Sequence, residues 1–402
     1  MQLEHAYIFD AVRSVRGRAK AGGALHDLTP HALLGHLYDA LVTRTGLDPG
    51  VVADVILGCV TQHAEQAGNI ARTSVLYAGW PHQVSGLTVN RFCSSSIDAI
   101  NIAALKVGAR QATAVVAGGV EMMSRAPMLS DQASVFSDPA YAARCQMLLM
   151  GSGADLIATL CGVTREQADH VAWQSQQRAA DAINAGYFRS VVPVMSPMRG
   201  SAVEADECVR PQTSLESLKA MKVAFAELGA SGADAQQLAA YPHLERIEHV
   251  HTAGNSPAMA DGAALLLVGA KDLGRILGRP PRARISAATT AADEPLQVLS
   301  GCIAAASKLM SEQHLTVDAI DLFEIHEAFA ATMVKAQREL HIPAEKMNVN
   351  GGVIALGHPM GATGAMLTIT LLDELERRDQ RLGLVAASGA GGSGSALLIE
   401  RV

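Results

Sequence analysis

Aromatic residues make up only 4% of this 402-residue chain and charged residues only 18%, against 49% hydrophobic. That balance excludes a disordered protein, and the length allows two or three domains with their own cores. No stretch is dense in lysine or arginine, and the net charge is −7. The concentrated basic face that nucleic acid requires is therefore missing, although two or three local cations could still hold a phosphorylated ligand. The six cysteines, Cys59, Cys93, Cys145, Cys161, Cys208 and Cys302, show no CxxC pair and no metal-ligand spacing. Reduced thiols in a cytosol fit them better than a disulfide framework. No apolar run approaches the ~18 residues of a membrane span. The opening MQLEHAYIFDAVRS also lacks the basic-then-apolar order of a secretory signal. The expectation is a cytoplasmic, soluble protein with no membrane or nucleic-acid partner and no metal.

Glycine is present in a telling place. Asn348 to Gly364 reads NVNGGVIALGHPMGATG, with Gly351, Gly352, Gly357, Gly361 and Gly364 around His358 and Pro359. Glycines this dense cost backbone entropy in a core element, so the run suits a backbone that bends closely around something. A second stretch, Val89 to Ser96 (VNRFCSSS), sets Cys93 at the mouth of an apolar helix. A helix N-terminus favours the thiolate and lowers its pKa. A cysteine with a distant histidine is a nucleophile-and-base pair in outline. The alternatives are a buried structural cysteine and a glycine-rich connector with an incidental histidine.

Strand and helix signals alternate along the chain. Ala6 to Val12, Asp54 to Val60, Leu87 to Asn90 and Ala112 to Gly119 read as strands; Leu28 to Thr45 and Asn69 to Ala78 read as helices, the first stopped by Gly46. This is an α/β pattern with a largely parallel sheet. From about Met122 to Thr252 the chain turns polar and proline-interrupted, with one clear helix from Arg165 to Gly186 after the N-cap candidate Thr164. Alternation resumes at Gly262 to Ala270. The last third then repeats the first: Val349-Asn350 precedes the His358 loop as Val89-Asn90 precedes Cys93, and LGLVAASGAGG matches ATAVVAGGVEM. Two duplicated βαβ-type halves around an insertion follow, packed face to face with the site at their junction.

Glu324 to Phe329 (EIHEAF) follows a strand and is not HExxH, so His326 reads as a hydrogen-bond donor to a polarised carbonyl or as a satisfied core histidine. Ser388 to Gly394 (SGAGGSG) lies between two strand signals and lacks the following helix of a nucleotide loop. A turn that offers backbone N–H groups to a pocket fits it better.

These motifs together resemble the thiolases, acetyl-CoA acyltransferases that cleave or form 3-ketoacyl-CoA. VNRFCSSS looks like their nucleophile motif, AGGVEMMSRAP their strand-to-loop signature and HTAGNSPAMADGAA the return from the loop domain. HEAFA resembles their Asn/His-Glu-Ala-Phe box, and the His358 run is the most specific signature. The resemblance implies two mixed five-stranded halves about a sandwiched helix layer. Residues 1–122 with 253–274 would form the first half, 123–252 a loop domain that holds coenzyme A, and 275–402 the second half. It implies Cys93 as acyl-accepting nucleophile and His358 as its activator. His326 would position an oxyanion-binding water, and the N–H groups of Cys93 and Ala390 a second oxyanion hole. Lys222 and Ser256 would be substrate contacts. Coenzyme A would be a co-substrate, with no permanently bound cofactor, and the protein a homodimer or homotetramer of fatty acid metabolism such as β-oxidation. The histidine at 326 points to a branch with a hydratase/dehydrogenase partner.

Three departures qualify that expectation. The family's second catalytic cysteine, the acid/base at the substrate α-carbon, aligns with Ser388, and a serine hydroxyl is a poor base near neutral pH. Ser96 replaces a common glycine and would narrow the pocket. Pro257 stands where many members carry a pantetheine-contacting serine. The leading expectation is ping-pong acyl transfer through a Cys93 thioester. Its rivals are an engineered Cys→Ser variant of an ordinary thiolase, an acyl-CoA transferase or hydrolase without C–C chemistry, and a non-catalytic acyl-CoA-binding subunit.

Overall fold

The computed structural model describes residues 4–402. Its longer strands are β1 (Ala6–Ser14), β2 (Val52–Gly58), β3 (Ser85–Val89), β4 (Ala114–Met122), β5 (Ala260–Gly269), β6 (Ala283–Ala292), β7 (Leu322–Ile325), β8 (Leu382–Ser388) and β9 (Ser393–Arg401). They join in one sheet in the order β7-β8-β9-β6-β1-β5-β4-β2-β3. The longer helices are α1 (Pro30–Thr45), α2 (Ile70–Tyr77), α3 (Ser95–Gly108), α4 (Met150–Cys161), α5 (Arg165–Asn184), α6 (Gly301–Glu312), α7 (Ala330–Leu340) and α8 (Thr363–Arg377).

The sheet is mixed, which corrects the largely parallel expectation. Only β4–β2–β3 and β7–β8 run parallel along this path; β1–β5, β5–β4, β6–β9, β8–β9 and β1–β6 are antiparallel. β5 is buried at every residue, and a strand covered on both faces gives the unbroken apolar run usual for parallel strands. The first half contributes five strands. The second contributes four, its fifth reduced to a single bridge between Phe323 and Met347. Ala6–Ile8 pair with Ala283–Ile285, so the halves are also joined edge to edge.

The duplicated halves do enclose a helix layer. Ile97 and Ile100 of α3 and Ala365 and Ile369 of α8 share one core with Ile8, Leu266, Leu397 and Ile399 from strands of both halves. Helices α1 and α2 cover the first half on its other face, and α6 and α7 cover the second. Local signals explain the helix ends. Thr29 caps α1 by accepting the Ala32 N–H, Pro30 opens it, and Gly46 closes it in the left-handed region at φ 67°.

In the insertion, α5 carries a full capping box, Thr164 with Gln167. Helix α4 was not expected: it opens on Met150-Gly151-Ser152-Gly153, with two glycines and no side-chain cap. Its glycines are demanded by packing, since a Cβ on Gly151 would lie 2.3 Å from the Phe225 ring and one on Gly153 2.5 Å from Val298. Asp206 ties the insertion to the first half, accepting from Arg13 at 2.8 and 2.9 Å and from the Arg16 backbone N–H at 2.8 Å. Among the described residues no helix is long and apolar enough to cross a membrane, and no group of three or more His, Cys, Asp or Glu could hold a metal.

Candidate active site

Strand β3 ends at Val89, and a tight turn then delivers Cys93 just ahead of α3. Asn90 Oδ1 accepts the Phe92 N–H at 2.8 Å, and Ser95 Oγ accepts the Arg91 N–H at 2.9 Å. Phe92 sits at φ 50°, an uncommon place for a bulky residue. From the second half, Gly357 takes φ 105° where a Cβ would come within 2.9 Å of Ala260, and the next residue, His358, donates its backbone N–H to Ala258 at 2.7 Å. The two loops meet with His358 Nε2 at 3.1 Å from Cys93 Sγ.

The second ring nitrogen is also engaged. His358 Nδ1 lies 2.7 Å from Thr363 Oγ1, whose hydroxyl donates to the Pro359 carbonyl at 3.2 Å. With the hydroxyl proton on that carbonyl, Nδ1 would donate to Thr363 and Nε2 would turn its lone pair to the thiol.

The sequence expectation of a lowered thiol pKa is overturned. Burial pushes Cys93 up to about 12, and the Glu121 carboxylate adds to the effect; the thiol's own backbone N–H only partly opposes them. Burial also holds His358 well below the usual imidazole range, helped by His326 and by the Arg16 charge. Both shifts favour the neutral forms, a thiol beside an uncharged imidazole.

His326 follows β7, and its ring centroid is 4.6 Å from that of His358. It is 1% exposed, and neither ring nitrogen has a well-formed hydrogen bond. Burial takes its pKa down to about 4, against a smaller opposing pull from the Ser388 backbone.

Ala390 lies in the β8–β9 turn, which Gly391 and Gly392 close at φ 64° and 74°. This turn packs on the nucleophile loop: a Cβ on Gly389 would lie 2.6 Å from the Arg91 carbonyl oxygen. Neither the Cys93 nor the Ala390 N–H donates to another described residue. Lys222 is exposed, and its neighbour Val223 bridges Thr252, close in sequence to Ser256. Ser256 is buried and donates to the Thr252 carbonyl at 2.7 Å.

Sequence reasoning missed Glu121, quoted above only within a signature. It is fully buried at the end of β4 and accepts from Val60 N at 2.9 Å, Thr61 N at 3.0 Å, Gln66 Nε2 at 2.8 Å and Gly361 N at 2.9 Å. It thereby pins the His358 loop to the first half. A lone acid in an apolar strand was the available signal.

Known proteins share the arrangement along the whole chain. Residues 6–235 match the family model described as "Thiolase, N-terminal domain", and 279–401 match "Thiolase, C-terminal domain". The chain belongs to the thiolase family. It is 36% identical over 423 residues to the 3-oxoadipyl-CoA/3-oxo-5,6-dehydrosuberyl-CoA thiolase of Escherichia coli (strain K12), covering 100% of both chains. A 3-ketoacyl-CoA thiolase of Cronobacter sakazakii is also 36% identical, over 411 residues and 100% of both. Among solved structures, human mitochondrial 3-ketoacyl-CoA thiolase superposes with a TM-score of 0.88 at 30% identity. The Bacillus anthracis acetyl-CoA acetyltransferase gives 0.86 at 33%, and each comparison covers 100% of both chains.

In this thiolase the two unusual serines have a shared structural use. Ser388 Oγ donates to the Leu299 carbonyl at 2.6 Å and accepts the Cys302 N–H at 2.9 Å. Cys302 is the second residue of α6, whose N-cap Ser300 provides no side-chain cap. Ser388 therefore caps α6 from another strand. Ser96 does the same for α8, accepting the Ala365 N–H at 2.9 Å. It is buried against that helix, which corrects the expectation that it narrows the pocket.

Proposed function

We propose that this thiolase transfers acyl groups by a ping-pong route through a Cys93 thioester, cleaving or forming a 3-ketoacyl-CoA. The observation that carries the reading is His358 Nε2 at 3.1 Å from Cys93 Sγ. His358 takes the thiol proton as sulfur attacks the 3-keto carbon, the open N–H groups of Cys93 and Ala390 receive the oxyanion, and coenzyme A collects the acyl group. A silent acyl-CoA-binding subunit needs neither a base on its thiol nor free amide donors. Lys222, exposed beside the Thr252 segment, is the cation we assign to the coenzyme A nucleotide.

A second copy of the chain fits the free edge of the sheet. β3 ends the strand order, and Leu87, Leu76, Tyr77 and Leu105 around it are all exposed. Such clustering of large apolar side chains supports a homo-oligomer.

Ser388 favours a second reading, acyl transfer without C–C chemistry, because its hydroxyl is committed on both sides. Thiolysis of acetoacetyl-CoA and of a longer 3-ketoacyl-CoA separates the two. The protein is expected to cleave at least one of them with CoA present, and Ser388→Cys to change turnover by less than tenfold while weakening the α6 cap. Acyl exchange between CoA thioesters with the 3-keto bond left intact would establish the second reading. A hundredfold gain in Ser388→Cys would instead mark position 388 as the missing acid/base.

A further inference from the structure

Breaking the bond between C2 and C3 of a 3-ketoacyl-CoA leaves an electron pair on C2, which must receive a proton; this inference rests on that C–C reading. Within reach of Cys93 few groups can supply one. The Ser388 proton is held by the Leu299 carbonyl and its lone pair by the Cys302 N–H. The Cys302 thiol belongs to the outer apolar cluster with Ile303, Leu309 and Leu384. His358 is bonded on both nitrogens, to Thr363 and to Cys93. His326 stands apart from all of these. It is buried, its ring lies 4.6 Å from that of His358, and neither nitrogen makes a well-formed hydrogen bond, the Ser388 backbone being the one group that pulls on it. A buried polar group without a partner costs about 1–3 kcal/mol, and such a group beside a nucleophile is one that a substrate can satisfy.

We infer that His326 carries the proton to and from the substrate α-carbon. In thiolysis the Cys93 S–H proton goes to His358 Nε2 as sulfur bonds to C3. The C2–C3 bond breaks with its electron pair on C2, forming the enolate of the departing CoA thioester. The proton on His358 is handed to the neighbouring His326 ring and from there to C2, while the acyl group remains on sulfur. The thiol proton ends on carbon, and no oxidant, reductant or further reactant enters. In the reverse direction neutral His326 takes the C2 proton, and the two imidazoles return it to sulfur.

The test separates the two half-reactions. Deuterium wash-in at the methyl group of acetyl-CoA in D2O, followed by NMR, reports the α-carbon step; intact-mass detection of acetylated protein reports the Cys93 step. His326→Asn, and His326→Gln as a variant of closer length, are expected to lose wash-in by a hundredfold or more, within the 10²–10⁴ range of one acid/base group. Acetylation of Cys93 should fall by less than tenfold in the same variants, which also certifies that they fold. Wash-in kept within tenfold of the unaltered protein, or parallel loss of both steps in both variants, would overturn the inference alone. If the unaltered protein acetylates Cys93 but neither exchanges the α-proton nor cleaves a 3-ketoacyl-CoA, the C–C reading fails, and the inference with it.

Discussion

Glu121→Gln is expected to lower stability by about 2–6 kcal/mol and thiolase turnover by about a hundredfold. All four partners of Glu121 are N–H donors, two backbone groups after β2, the Gln66 amide and the Gly361 N–H of the histidine loop. Only a carboxylate accepts on both oxygens. A glutamine turns an NH2 toward two of these donors, leaving at least two buried groups unpaired at about 1–3 kcal/mol each. The turnover loss follows from Gly361, three residues from His358: a base displaced by about an ångström loses about two orders of magnitude. Urea unfolding checks the first expectation and steady-state thiolysis the second. A third readout separates positioning from mere destabilisation. Glu121 raises the Cys93 pKa by its charge, so the variant's pH profile for iodoacetamide alkylation of Cys93 should move to lower pH. A stable variant with normal turnover and an unmoved profile would show that Glu121 is not the clamp.

Asp206→Ala is expected to cost about 3–5 kcal/mol, because it leaves Arg13 and Arg16 buried without their counter-ion. Both guanidiniums are 1% exposed and meet on this one carboxylate. The loss has a route to the site, since Arg16 also reaches Met366 of α8, and its charge helps keep His358 neutral. The pH dependence carries a definite sign. Burial works to raise the Asp206 pKa, but Arg13 and Arg16 outweigh it and hold the group below the ordinary carboxylate range. A depressed pKa means that its stabilisation is complete above about pH 4 and disappears as pH falls through the folded-state value. Thermal unfolding of the unaltered protein should therefore steepen below about pH 4, and the variant should lack that component. An unfolding temperature unchanged at pH 7 would contradict the assignment.

Much of the site was legible in the sequence because its parts are local. Gly357 and Gly361 mark the bends that carry His358, and VNRFCSSS places a thiol before a helix whether or not the rest of the fold is known. The duplication was legible for the same reason, as was the Ser388 to Gly394 turn between two strands. What escaped depends on distant groups. The Cys93 pKa is set by its buried surroundings and by Glu121, from another strand, and these outweigh the helix N-terminus that the sequence advertises. Ser96 and Ser388 cap helices far from them in the chain, so neither looks like a cap locally. Antiparallel β5 was hidden by its own burial, and α4 by glycines that exist to admit Phe225 and Val298.

The central claim is that Cys93, with His358 as its base, carries the acyl group. The direct measurement is the intact mass of the protein after mixing with a 3-ketoacyl-CoA in the absence of free CoA, followed by peptide mapping. The account predicts one acyl group per chain, placed on Cys93, absent in Cys93→Ala and discharged by added coenzyme A. An unmodified protein that still turns over with CoA, or an acyl group on any other residue, would contradict it.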